Sequence, residues 1–71
     1  MLAAVEIKNR LAEWMKEEGW TQAKTSEMTG LDVSTVRRIQ KNQGDPSRAA
    51  IAAICEAFEK PVSEFFYGED E

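Results

Sequence analysis

The sequence predicts an all-α domain, a compact bundle of five short helices. Apolar residues recur three and four positions apart through most of the chain, the spacing of one helix face. Gly19, Gly30, Gly44, Pro46, Pro61 and Gly68 cut the chain into five short pieces. No run of alternating apolar and polar residues, internal repeat or low-complexity segment competes with that reading.

The first helix is expected over about residues 5–18, with Ile7, Leu11, Trp14 and Met15 sharing a face. Gly19 ends it, as a glycine just past a helix does. Thr21 caps a second helix over 22–29, closed by Gly30 in a left-handed backbone. Asp32 is the expected N-cap of a third helix over 33–40, and Leu31 and Val36 make a hydrophobic staple across its start. The polar stretch from Lys41 to Pro46 is a turn. Ser47 caps a fourth helix over 48–58, where Ile51, Ile54, Cys55 and Phe58 share a face. Pro61 opens a fifth helix over 62–67, carrying Val62, Phe65 and Phe66. Residues 68–71 form an acidic tail, expected to fray.

Seventy-one residues form one domain, 1–71, and a core this small supplies only about 3–5 kcal/mol, so a surface for self-association would help. The single Cys55 excludes an internal disulfide, and with no histidine there is no structural zinc set. The same absence removes the usual general base, so no catalytic residue, metal or cofactor is expected, and the chain is read as no enzyme. No apolar run approaches the roughly 18 residues of a membrane span, and the start lacks a signal-peptide pattern; a cytoplasmic location is expected.

The net charge of −4 is unevenly spread. Residues 20–48 carry Lys24, Arg37, Arg38, Lys41 and Arg48 against Glu27, Asp32 and Asp45, a net of +2. Residues 49–71 carry Lys60 against Glu56, Glu59, Glu64, Glu69, Asp70 and Glu71, a net of −5. The acidity belongs mainly to the C-terminal part, and the middle is open to an anionic partner.

The most informative unit runs from Thr21 to Gln40: two short helices joined by Gly30-Leu31-Asp32, the plan of a helix-turn-helix. Small residues such as Ala23 and Ser26 let the helices cross closely. Val36 and Ile39 hold the second against the domain, leaving Ser34, Thr35, Arg37, Arg38 and Lys41 on a polar outer face.

Here the sequence resembles the lambda-repressor-like (Cro/cI) helix-turn-helix family. Gly19-Trp20-Thr21-Gln22 and the run from Thr29-Gly30-Leu31-Asp32 to Val36-Arg37-Arg38-Ile39 carry the likeness. Asp45-Pro46-Ser47 and Phe58 to Phe66 resemble the family's fourth and fifth helices, so the similarity covers about residues 5–67. The resemblance implies a sequence-specific DNA-binding regulator of phage or prokaryotic type, a repressor placing helix 33–40 in the major groove of double-stranded DNA. By position it implies base contacts from Val33, Ser34, Arg37 and Arg38. It implies phosphate contacts from Thr21, Gln22, Thr35, Lys41, Asn42, Gln43 and Arg48, with Gln22 also bracing the recognition helix. The chemistry agrees: arginine can bond guanine bidentately, a valine methyl meets a thymine methyl, and lysine suits phosphate. An arginine on helix 1 paired with a glutamate ending helix 3 is replaced by Met15 and Gln40, a softer contact. The family's Leu-Ala in helix 2 is Thr25-Ser26, which thins the core beneath the motif.

Phe65, Phe66 and Tyr67 exceed what one helical face buries, and are read as a homodimer contact. The acidic C-terminal part also supports a different reading, a protein-interaction module on the same fold, such as an anti-repressor, an antitoxin or a switch subunit.

Overall fold

The computed structural model describes residues 5–70 of the chain. Strand β1 (Val5–Asn9) leads into helices α1 (Leu11–Glu18), α2 (Gln22–Thr29), α3 (Val33–Gln40) and α4 (Arg48–Phe58). A 3-10 turn (Val62–Glu64) then precedes strand β2 (Phe66–Asp70). The strands pair antiparallel, Val5 with Asp70 through Asn9 with Phe66. No helix among the described residues is long and apolar enough to cross a membrane.

The five-helix expectation is corrected at both ends. Helix α1 begins at Leu11, and the residues before it are extended. Ile7 lies four residues before Leu11 and mimics a helical face, but Val5 and Ile7 also alternate with Glu6 and Lys8, the period of a strand. The fifth helix shrinks to one 3-10 turn behind Pro61. Residues 68–70, expected to fray with the tail, lie in β2, and Glu71 is outside the described residues. Each strand lacks a local partner and finds one at the other end of the chain.

Leu11, Trp14 and Met15 of α1, Val36 and Ile39 of α3, Ala50, Ile54, Cys55 and Phe58 of α4, and Phe65 make the core. The Trp14 ring lies 5.8 Å from that of Phe58 and 5.7 Å from that of Phe65, and Trp20 lies 4.5 Å from Phe58. Tilted pairs of this kind add about 0.5–1.5 kcal/mol each beyond their burial.

Helix α2 contributes a fully buried Thr25 in place of an apolar residue. Its hydroxyl donates to the Thr21 carbonyl at 2.9 Å, so no polar atom is stranded. Its neighbours' hydroxyls hold the turn that follows. Thr29 donates to the Thr25 carbonyl at 2.7 Å and accepts from the Leu31 amide at 3.2 Å, and Ser26 donates to the Leu31 carbonyl. The turn itself needs Gly30, whose φ of 78° is left-handed. Thr25-Ser26 therefore exchange apolar volume for a hydrogen-bonded corner between α2 and α3.

Candidate nucleic-acid interface

Helix α3 is held by two buried residues, Val36 and Ile39, and by little else along its length. Val33, Ser34, Arg37 and Arg38 are exposed, Val33 at 37%. Thr35 is half-buried at the edge of that face. Asp32 occupies the N-cap position, but its side chain makes no capping bond, against the sequence expectation. Both arginines lie in the last turn of α3, where cations suit the helix dipole. Among the described residues neither is in an ion pair, so both charges face outward.

Helix α2 sets the position of α3 through its first residue. Thr21 caps α2 by accepting from the Lys24 amide at 3.1 Å, which leaves Gln22 on the first turn pointing across to α3. The Gln22 Nε2 donates to Gln40 Oε1 at 2.9 Å, and Arg37 Nε donates to Gln22 Oε1 at 3.5 Å. One side chain thus ties both ends of the exposed arginine turn to the start of α2. Gln40 thus gains a polar partner in Gln22, while Met15 is buried in the core.

The segment after α3 is equally fixed. Asn42 has a φ of 58° and closes the helix: its amide donates to the Ile39 carbonyl at 3.0 Å and the Gln43 amide to the Arg38 carbonyl at 2.9 Å. That is the left-handed stop in which glycine or asparagine is favoured. Asparagine adds something glycine lacks. Its Oδ1 accepts from the Asn9 backbone amide at 2.8 Å and from Asn9 Nδ2 at 3.0 Å. Asn9 Nδ2 also donates to the Ile39 carbonyl at 2.8 Å, and Asn9 Oδ1 accepts from the Leu11 amide at 2.9 Å. Asn9 is buried, and it fastens the start of α1 to the end of α3.

Lys41 and Gln43 therefore sit on a braced, exposed loop beside Arg38. A Cβ on Gly44 would lie 3.7 Å from Arg38 Cδ, so the arginine stem runs along this loop. Asn42 is next to them in sequence, but its carboxamide oxygen already serves Asn9. Thr21 and Arg48 are exposed, Gln22 half-buried. The Ser47 hydroxyl caps α4 by accepting from the Ala50 amide at 3.1 Å. None of α2, α3 and α4 carries an acidic residue in its first turn. Glu13, Glu17 and Glu18 belong instead to α1, and Glu56 to α4.

The three aromatics read as a dimer contact separate. Phe65 is fully buried against Trp14, so its ring is unavailable to a second copy. Phe66 is 40% exposed and Tyr67 half-buried, with the Arg10 guanidinium 4.7 Å from the centre of the Tyr67 ring. Sequence reasoning missed Asn9 and the bond from Gln40 to Gln22. Their signals were faint: an asparagine before a helix start, and a glutamine where a glutamate is usual.

A helix-turn-helix family profile matches residues 11–65 of the chain. An uncharacterized HTH-type transcriptional regulator of Bacillus subtilis (strain 168), YgzD, is 32% identical over 65 residues, 92% of this chain and 98% of that protein. The crystal structure of a DNA-binding protein candidate from Bacteroides fragilis superposes with a TM-score of 0.75 at 19% identity, over 87% of this chain and all of that one. The transcriptional regulator VanUg superposes with a TM-score of 0.72 at 19% identity, over 100% of this chain and 93% of that one. The two structural likenesses speak for the fold.

Proposed function

Because the chain belongs to the lambda-repressor-like helix-turn-helix family of DNA-binding transcriptional regulators, which are not enzymes, we propose that it reads a specific operator by laying α3 in the major groove. Ser34, Arg37 and Arg38, with Val33 at the helix start, meet base edges. Thr21, Gln22, Thr35, Lys41, Gln43 and Arg48 meet phosphates on either side. Asn42 contributes there through its side-chain Nδ2, since its backbone amide and its side-chain oxygen are engaged. The protein acts in the cytoplasm as a Cro/cI-type repressor, and as a homodimer on a two-fold operator whose half-sites lie about one helical turn apart.

One observation supports this reading above the others. The residues on the outer face of α3 are exposed, unpaired by any carboxylate among the described residues, and carried on a helix whose C-terminal end is held by side-chain hydrogen bonds at Ile39 and Gln40. Pre-positioned donors lose little freedom on binding, which favours recognition over mere charge attraction. An overall acidic chain can still bind in this way, because its carboxylates concentrate on α1 and beyond Ala49.

The test is selection of bound duplexes from a random pool at two salt concentrations. Recovery of one two-fold sequence at both salts is the expected result. Recovery of unrelated sequences that vanish at higher salt would reduce the protein to nonspecific phosphate binding and overturn the reading.

A further inference from the structure

Between the last turns of α2 and α4 opens a cleft of about 540 Å³. Met28 and Thr29 of α2 line one wall, and Ala53, Glu56 and Ala57 of α4, with Glu59 just beyond it, line the other. Met28 is 46% exposed, and together with the half-buried methyls of Ala53 and Ala57 it makes the apolar part of the cleft. The carboxylates of Glu56 and Glu59 are exposed beside it. Among the described residues no cation lines the cleft. Lys24 stands a turn before Met28 on α2, outside the lining, and Lys60 lines a separate cleft with Arg10 and Glu13.

The backbone adds to the negative field of those carboxylates. The cleft meets the C-terminal turn of both helices, the negative end of each dipole, and neither last turn carries a basic residue to offset it. The opposite ends of the same helices hold Thr21, Gln22 and Arg48, assigned above to phosphate. At a rise of about 1.5 Å per residue, Met28 lies about 9 Å along α2 from Gln22, and Glu56 about 12 Å along α4 from Arg48. Each helix therefore has one end suited to an anion and the other to a cation.

We propose that this cleft docks a basic segment of a partner protein, one carrying lysine or arginine a helical turn from an apolar side chain. The apolar side chain packs on Met28 and Ala57, and the alkyl stems of the cations cross the alanine methyls to bring their heads to Glu56 and Glu59. Charge complementarity selects this occupant. Carboxylates and helix C-termini repel a duplex or an acidic segment. A small amine would keep much of its water between such exposed carboxylates, whereas small-molecule sites enclose most of their ligand. A second copy's main cationic surface is the outer face of α3, which the function proposed above gives to DNA. The docking surface thus goes beyond operator reading, and sits at the helix ends opposite the phosphate contacts.

The test follows amide chemical shifts of the isotope-labelled full chain, without DNA, as a synthetic helical peptide is added. The peptide is alanine-based, about 15 residues long, with two arginines a turn apart and one leucine on the same face. Saturable shifts centred on Met28, Ala53, Glu56, Ala57 and Glu59, with a Kd of about 1 mM or below, are the expected result. Glu56→Gln with Glu59→Gln should weaken binding roughly fivefold, and Met28→Gln about as much. Glu17→Gln with Glu18→Gln removes the same charge from the other acidic helix and should leave binding unchanged. All five positions are exposed, so the fold is kept. Absence of saturable shifts at the cleft, equal losses in the two charge-matched variants, or equal binding of free arginine would overturn the proposal. So would cleft shifts that track protein concentration alone, which would make a second copy the occupant. Because no DNA is present, this result and the operator selection can each fail without the other.

Discussion

At the scale of single residues, Asn42 shows how one side chain serves backbone and packing together. It holds a left-handed φ of 58° and accepts two hydrogen bonds from Asn9, whose side chain is buried. Asn42→Gly keeps the backbone and strands two donors, and should cost about 1–3 kcal/mol in urea unfolding. Asn42→Ala should cost about 1 kcal/mol more, because alanine also resents that backbone. Equal losses would show that the φ angle carries no strain. On α3, Arg38→Ala should cost about 1–3 kcal/mol of operator affinity and relax selectivity at one base pair. Lys41→Ala should weaken all sequences alike and lower the salt slope by about one. Titrations of matched and mismatched duplexes at several salt concentrations separate the two. The arginines were legible in the sequence because charge on an outer face needs no partner to be read. Asn9 was not, since its meaning depends on a residue 33 positions away.

At the scale of elements, the helices advertise their limits locally. Thr21 and Ser47 precede their helices and accept the expected amide bonds, and Gly19 and Gly30 follow theirs in left-handed backbone. The end of α4 lacks that courtesy. Glu59 closes it with a φ of 55°, where glycine would be unstrained, and its carboxylate lies at the negative end of the helix dipole. Glu59→Gly should therefore stabilise the protein by about 0.5–1 kcal/mol, seen as a melting temperature several degrees higher. No change would mean that the extra freedom of glycine in the unfolded chain cancels the gain. The strands escaped a local reading for a related reason. Five residues at each end carry too short a pattern to outweigh a helical spacing that continues into α1, and their pairing spans the whole chain.

At the scale of the whole molecule, a small core concentrates its burial on a few side chains, and Cys55 is among them. Burial pushes its thiol above the ordinary value of 9.0. The folded state then holds the proton more firmly than the unfolded one, so this contribution is intact at neutral pH and fades as pH climbs past 9.0. Melting wild type beside Cys55→Ala across that range should show wild type losing ground faster as pH rises; parallel curves would free the thiol of any such role. The ribbon has a mechanical consequence of its own. Its last rungs lie at Val5 and Asp70, next to the chain ends, so tension applied there peels the strands apart rung by rung. Sheared strands share a load across every rung, whereas peeled ones meet it singly. Force on the termini would thus unzip the strands first, and reach Asn9 and its hold on α3 only when nothing else remains between them.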